Sequence, residues 1–280
     1  MKITKYLFGL ALLALGMSMT SCDKENEGAI YNPASSNVSW EQKAYSTKTA
    51  EETIEVPIMI SRATKDGELT VNYTVEASDP EVLSDDHNGK VNFAAGEGMA
   101  TVKVKAANME KGTTYTYTMT LDDASAAADE NLSAIKTITV RIESDYTWLD
   151  GGTCRFIDFN FGDGVEGEVE VLKAQENPNI IKLLNPFLAL YGEDPDDAEY
   201  FKDSDDIIVT FYDAPDASGN VGEIGTGLVM GKDYTIEYLP SRYPSYCYFQ
   251  ADGNYYTVGH LIGVDGEPTY VGGFDFVYER

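Results

Sequence analysis

Between Val38 and Ile142 the chain alternates apolar and polar residues in short runs. Thr53-Ile54-Glu55-Val56-Pro57-Ile58-Met59-Ile60, Leu69-Thr70-Val71-Asn72-Tyr73-Thr74-Val75 and Tyr115-Thr116-Tyr117-Thr118-Met119-Thr120-Leu121 all repeat with period two. So do Ala100-Thr101-Val102-Lys103-Val104 and the run from Ile135 to Ile142. That period puts one apolar and one polar face on each strand, the signature of a sheet packed on one side. Turn-forming residues, as in Lys65-Asp66-Gly67 and Asn88-Gly89, separate the runs. About seven strands in roughly a hundred residues predict a β-sandwich over residues 37–144. The Ala-rich stretch 123–130 reads as a loop or as one helical turn.

The second half, residues 145–280, is again strand-rich, with candidates at 153–161, 166–174, 207–212, 234–238, 246–250, 255–261 and 269–278. Two stretches depart from that pattern. Residues 179–187 read as a buried strand ended by Asn185-Pro186, because proline disfavours a continuing regular backbone before it. Residues 192–206 read as a long acidic loop. The expected fold class is therefore all-β, with two β-sandwich-like domains in tandem.

Composition narrows the partners. The formal charge is −27, and it is uneven: residues 30–145 hold 10 Lys+Arg and 19 Asp+Glu, whereas residues 146–280 hold 7 and 25. Such a surface repels phosphate backbones and anionic headgroups, which argues against nucleic acid as a partner. Cys154 and Cys247 fall in the second half, where a disulfide between them and two separate buried thiols are both compatible with the spacing. With no C-x-x-C and only His87 and His260, a structural zinc site has no support.

The start of the chain carries a different signal. Lys2 and Lys5 precede the apolar run Tyr6-Leu7-Phe8-Gly9-Leu10-Ala11-Leu12-Leu13-Ala14-Leu15-Gly16-Met17, the pattern of a secretory leader. The run is shorter than the ~20 residues a membrane-spanning helix needs. Met19-Thr20-Ser21-Cys22 resembles a lipobox, and the acidic Asp23-Lys24-Glu25-Asn26-Glu27 resembles the export signal of surface lipoproteins of the Bacteroidetes. The resemblance implies a signal peptide over 1–21, acylation of Cys22, a flexible tether over 22–36, and an outer-membrane protein facing the cell exterior. Two or three acyl chains anchor stably, so the membrane is met through lipid alone.

Val38-Ser39-Trp40-Glu41-Gln42, Val71-Asn72-Tyr73-Thr74-Val75 and Val91-Asn92-Phe93-Ala94-Ala95-Gly96-Glu97 resemble the strands of Calx-β domains, an immunoglobulin-like family. Some members bind calcium through acidic end loops. Asp85-Asp86 matches one such loop, but Lys105-Ala106-Ala107-Asn108 stands where a second acidic run belongs. Calcium needs six to eight oxygens converging on one point, so no cofactor is expected. Gly167–Val171 with Lys182–Phe187 resembles a C-terminal domain found in Bacteroidetes lipoproteins of unassigned function.

No G-x-S-x-G, H-E-x-x-H, phosphate loop or G-x-G-x-x-G occurs, so no motif points to a reaction. His260, between Gly259 and Leu261 in a strand pattern, reads as structural. Glu193-Asp194-Pro195-Asp196-Asp197 with Asp203, Asp205 and Asp206 is the best metal candidate by ligand type, weighed against a solvated charge run. Tyrosines crowd 234–256: Tyr243-Pro244-Ser245-Tyr246 reads as an aromatic turn, and Asp252-Gly253-Asn254-Tyr255-Tyr256 as a hairpin with an exposed tip. Sugar rings stack on aromatic faces and exchange hydrogen bonds with polar neighbours, so Tyr243, Tyr246, Tyr255, Tyr256 and Trp148 are the candidate contact residues. The expected function is non-catalytic binding of an extracellular glycan linked to polysaccharide uptake. An adhesive or fimbrial scaffold with a protein partner is the alternative, and a glycoside hydrolase using paired carboxylates is the remote one.

Overall fold

The computed structural model describes residues 36–122, 134–161, 164–265 and 267–279. Cys22, the leader, the tether as far as residue 35 and the Ala-rich stretch 123–130 lie outside the described residues. The regular structure of the described chain is mostly strand, as the alternation predicts. No helix among the described residues is long and apolar enough to cross a membrane. Two compact units are present. The first holds the described residues as far as Tyr45 with Glu55–Lys105 and Thr116–Val140; the second holds Ser46–Ile54, Ala106–Tyr115 and Arg141–Arg280.

The strands of the first half are β1 (Ser39–Trp40), β2 (Ala44–Thr49), β3 (Thr53–Ser61), β4 (Leu69–Ala77), β5 (Leu83–Asp85), β6 (Lys90–Phe93), β7 (Met99–Ala107), β8 (Thr114–Leu121) and β9 (Thr137–Ser144). They form two sheets, β1-β3-β7-β5 and β2-β9-β8-β4-β6. The alternating residues meet between the sheets: Val56, Ile58, Ile60, Val71, Val102, Val104, Met119, Ile138 and Val140 are all at most 2% exposed. Trp40 sits edge-on to Tyr73 at 5.8 Å in that core. Asn88 and Gly89 both take left-handed backbone angles (φ 50° and 79°), a reversal that Asn-Gly makes at low steric cost. Arg62 is buried, and among the described residues no carboxylate pairs with it. Its guanidinium donates to the carbonyls of Glu97 (2.7 Å), Gly67 (2.9 Å) and Ala94 (2.8 Å) and lies over the Phe93 ring. Those bonds tie two loops together while satisfying the buried charge.

The second half contains β10 (Trp148–Asp158), β11 (Val165–Ala174), β12 (Ile180–Leu183), α1 (Pro186–Tyr191), α2 (Pro195–Phe201), β13 (Ile207–Phe211), β14 (Gly222–Ile224), β15 (Leu228–Val229), β16 (Thr235–Glu237), β17 (Tyr248–Asp252), β18 (Tyr255–Val264) and β19 (Glu267–Val277). These strands belong to one curled antiparallel sheet in the order β14-β13-β12-β11-β10-β19-β18-β16-β15, with β17 also paired to β18. Val221 N donates to Phe249 O (2.9 Å), and Asn220 Oδ1 accepts from Phe249 N (2.9 Å). That pair of bonds draws the β14 edge toward β17 and curls the sheet around its own apolar face. Phe156, Phe249, Phe274 and Phe276 fill the interior with no exposed surface. Each contributes on the order of 2 kcal/mol of transfer free energy.

Two expectations are corrected. The acidic stretch 192–206 is not a continuous loop, because Asp194 caps a helix there. Its side chain accepts from Asp196 N (2.8 Å), Pro195 takes the first helical position, and Asp196 and Asp197 face the positive helix start. Asn185-Pro186 likewise opens α1 rather than ending a strand at residue 187, since Asn185 accepts from Leu188 N (3.3 Å). Cys154 and Cys247 do not form a disulfide; both are buried free thiols. Burial alone pushes the Cys154 thiol up to about 12.

Candidate functional site

The curled sheet ends in an aromatic cleft whose construction follows from strand register. On β18 and β19 the inward-facing partners are Tyr256↔Phe276, Val258↔Phe274 and His260↔Gly272, followed toward the end of the sheet by buried Ile262 opposite exposed Tyr270. β10 supplies the next column, with Phe156 beside Phe276 and Asp158 beside Phe274. The interior therefore changes character within three layers. It is wholly aromatic and aliphatic at Phe156–Phe276–Tyr256, gains a carboxylate at Asp158, and holds an amide and an imidazole where Asn160 and His260 flank Gly272. Beyond that layer the space opens as a cleft of about 240 Å³ lined by Asn160, Phe161, Tyr234, Ile262, Tyr270 and Val271.

Asp158 organises the polar layer. It has no exposed surface, and its oxygens accept from Asn160 N (3.0 Å), Asn160 Nδ2 (2.6 Å), Phe161 N (3.0 Å) and the Tyr191 hydroxyl (2.7 Å). Four donors make a buried carboxylate tenable where an unpaired one would cost several kcal/mol. The same bonds turn the chain after β10 and set both Asn160 and Phe161 at the cleft. Burial, followed by the bond to Asp158, pushes the Tyr191 hydroxyl pKa well above the usual tyrosine value. Asn160 is held from the other side as well, its Oδ1 accepting from Gly273 N (3.0 Å). Gly272 is required by this packing: a Cβ there would overlap Asn160 Oδ1 and crowd Ile262 and the His260 ring.

His260 is structural in position, as its strand pattern predicts. It is fully buried, with Nδ1 3.1 Å from Leu261 O and its ring 5.8 Å from that of Phe274. Nδ1 therefore carries the proton, and Nε2 has no partner among the described residues. Burial lowers its pKa to about 4, against smaller raising effects from the Leu261 carbonyl and Asp158. The imidazole is neutral at pH 7.

Phe161 is the hub of the cleft wall. Its ring meets Phe201 at 5.0 Å, Tyr234 at 5.7 Å, Tyr191 at 6.0 Å, Phe187 at 6.1 Å and Tyr200 at 6.4 Å. The two short helices thus brace one side of the mouth through their aromatic residues. On the other side Tyr270 and Val271 stand 58% and 63% exposed, an uncommon exposure for neighbouring large apolar side chains on a strand.

The residues singled out from sequence are placed differently. Tyr256 is 5% exposed and stacks on Phe276 at 4.8 Å, so it belongs to the core and not to a contact surface. Tyr255 points the other way, 38% exposed, its hydroxyl donating to Asp275. Tyr243 and Tyr246 share the turn before β17, where Tyr246 N donates to Tyr243 O (3.1 Å). Tyr246 is 48% exposed, whereas Tyr243 packs against the core beneath Arg242. Trp148 keeps to its own cluster: its Nε1 donates to Asp145 (3.2 Å), Lys182 Nζ lies 4.3 Å over the ring, and Tyr146 meets it edge-on. None of the five lines the cleft. Of the cleft residues only Tyr234 stood in the tyrosine-rich stretch.

The acidic candidates are engaged in structure. Asp205 accepts from Val229 N (2.7 Å), Asp206 accepts from Asn185 N (3.0 Å) and faces Lys182, and Asp203 follows α2 beside Lys202. No group of three or more metal-ligating side chains is present among the described residues. In the first unit Asp85 is likewise engaged in hydrogen bonds. Its oxygens accept from the Tyr73 hydroxyl (2.7 Å), the Tyr117 hydroxyl (2.6 Å), His87 N (2.7 Å) and Asn88 N (2.6 Å). Asp86 accepts from Lys103 N (2.9 Å) and pairs with His87. A hollow of about 440 Å³ opens over Tyr73, Asp85 and Tyr117, where both tyrosine hydroxyls are committed to the Asp85 carboxylate.

No family model matches this sequence, and no curated protein matches it. Among solved structures, EndoBT-3987 of Bacteroides thetaiotamicron, solved with a Man5GlcNAc product, is similar at a TM-score of 0.31 and 10% identity, over 38% of this chain. The chain spans only 30% of that protein's length. The apo-form Calx CBD1 domain is similar at a TM-score of 0.29 and 16% identity, over 39% of this chain and 96% of its own. The CBD12 region of CALX1.2 is similar at 0.32 and 13%, over 52% and 78%. At these scores the shared shape is too partial to carry a function across.

Proposed function

We propose that this chain is a non-catalytic, lipid-anchored surface protein whose second unit binds an extracellular glycan in the aromatic cleft. The cleft itself carries the reading. Phe161, Tyr234 and Tyr270 offer aromatic faces, and the Asn160 amide, held by a buried carboxylate, offers a fixed polar group. Concave sites with apolar walls and a few oriented polar groups are the usual form of a small-ligand site, and the mouths of curled sheets are a common place for them. The leader and Cys22 support the surface location. Catalysis is not part of the reading: Asp158 and His260 lie beneath the cleft with no exposed surface, so neither meets a substrate there. Among the described residues the sheet edges are strands of two to six residues. Edges that short template an added strand poorly, which weighs against an assembly role.

Affinity electrophoresis of the protein through gels containing individual polysaccharides tests the proposal. Retardation by at least one neutral polysaccharide is expected, with Tyr270→Ala and Tyr234→Ala each weakening it about tenfold, the equivalent of one lost aromatic contact of ~1.4 kcal/mol. Retardation unaffected by both substitutions would place the binding surface elsewhere.

A further inference from the structure

We infer that the cleft recognises the terminal residue of an uncharged glycan chain rather than an internal segment; this deepens the glycan reading and rests on it. The geometry points to a blind site. The layer beneath the mouth, His260 with Gly272 and Asn160, and the layer below it, Val258 with Phe274 and Asp158, belong to the same inward face as Ile262. His260, Val258, Phe274 and Asp158 have no exposed surface, so nothing passes through the floor. One flank is closed by Phe161 and the helix aromatics around it. The opposite flank, at Tyr270 and Val271, is open to solvent, so a chain entering from that side ends against the Phe161 wall. The volume agrees: about 240 Å³ is below the ~300–1,000 Å³ of ordinary small-molecule pockets, room for a single ring and not for a run of residues.

The polar content of the floor sets what that ring must offer. Asn160 gives one Nδ2 proton to Asp158 and accepts at Oδ1 from Gly273 N, which leaves its second amide proton and a second Oδ1 lone pair for a ligand. A sugar hydroxyl, both donor and acceptor, matches that pair. None of the six lining residues is charged, and residues 146–280 carry a net −18 (7 Lys+Arg against 25 Asp+Glu). A uronate or sulfate would meet no cation in the lining and a repulsive field around it.

Titration calorimetry of the detergent-solubilised full chain tests this with laminarin, amylose and α-mannan, each intact and after controlled depolymerisation at equal mass, and with polygalacturonate as the anionic polymer. Chain-end recognition predicts that affinity per unit mass rises several-fold on depolymerisation, in step with the number of ends, and that Tyr270→Ala lowers it at least fivefold with the melting temperature unchanged. Polygalacturonate should give no heat. Affinity that stays constant or falls on depolymerisation overturns end recognition while leaving glycan binding intact. Preference for polygalacturonate overturns the uncharged assignment. No binding to any of the polymers overturns this inference and the proposed function together.

Discussion

His260 couples the interior of the second unit to pH. It is fully buried, its protonated Nδ1 is committed to the Leu261 carbonyl, and Nε2 has no partner among the described residues. A second proton would place a cation in an apolar layer, with Asp158 as the nearby charge. Burial therefore lowers the folded pKa to about 4 from an ordinary value of 6.5. Between those values the unfolded chain binds the proton and the folded chain does not, so stability falls as pH drops through the window from about 6.5 to about 4. At ~1.36 kcal/mol per unit the whole window is worth about 3 kcal/mol, and the portion between pH 7.5 and pH 5 about 2 kcal/mol. The upper part of the window lies above the range where exposed carboxylates titrate, which separates this contribution from that of the 47 acidic residues. The assay is urea unfolding followed by tryptophan fluorescence at pH 7.5, 6.0 and 5.0, in wild type and in His260→Gln, which keeps a polar side chain but cannot titrate. Trp40 and Trp148 report on the first and second units respectively. Wild type should lose about 2 kcal/mol more than the variant across that range, in the Trp148 transition only. Equal pH dependence in both proteins would refute the claim that His260 is buried and neutral.

Asp158→Ala strips the acceptor from four donors, two of them backbone amides at the cleft, and should cost about 3–5 kcal/mol and lower the melting temperature markedly. Asp158→Asn should be milder, so a reversed order in thermal denaturation would contradict the network. Cys154 and Cys247, free and buried, should react with a thiol reagent only after denaturation, and reductant should leave the melting temperature unchanged. Tyr73→Phe and Tyr117→Phe each remove one hydroxyl from Asp85 and should each cost about 1 kcal/mol in urea titration. Their combined cost should differ from the sum, because both hydroxyls share that carboxylate.

Much of the fold was legible in the residues themselves. Period-two alternation marked β3, β4, β7, β8 and β9 of the first half, because a sheet with one dry face imposes that pattern directly. Asn88-Gly89 marked a reversal for an equally local reason, the low cost of positive φ at those residues. The missed elements were local too: Asp194-Pro195-Asp196-Asp197 is a helix start written in the sequence, but its charge density reads first as a solvated loop. The free thiols, the core placement of Tyr256 and the cleft were not legible. Each depends on which face of a strand points inward and on which strand lies beside it, and register decides both. Asp158, Asn160, Tyr234, His260 and Tyr270 are separated by up to 112 positions along the chain, and no spacing rule links them. They converge because β10, β18 and β19 pair in one register and the sheet curls. The sequence by itself determined an acidic chain whose alternating runs make an all-β fold. Only the tertiary structure decided that a buried carboxylate would turn the end of β10 and hold an amide at the mouth of an aromatic cleft.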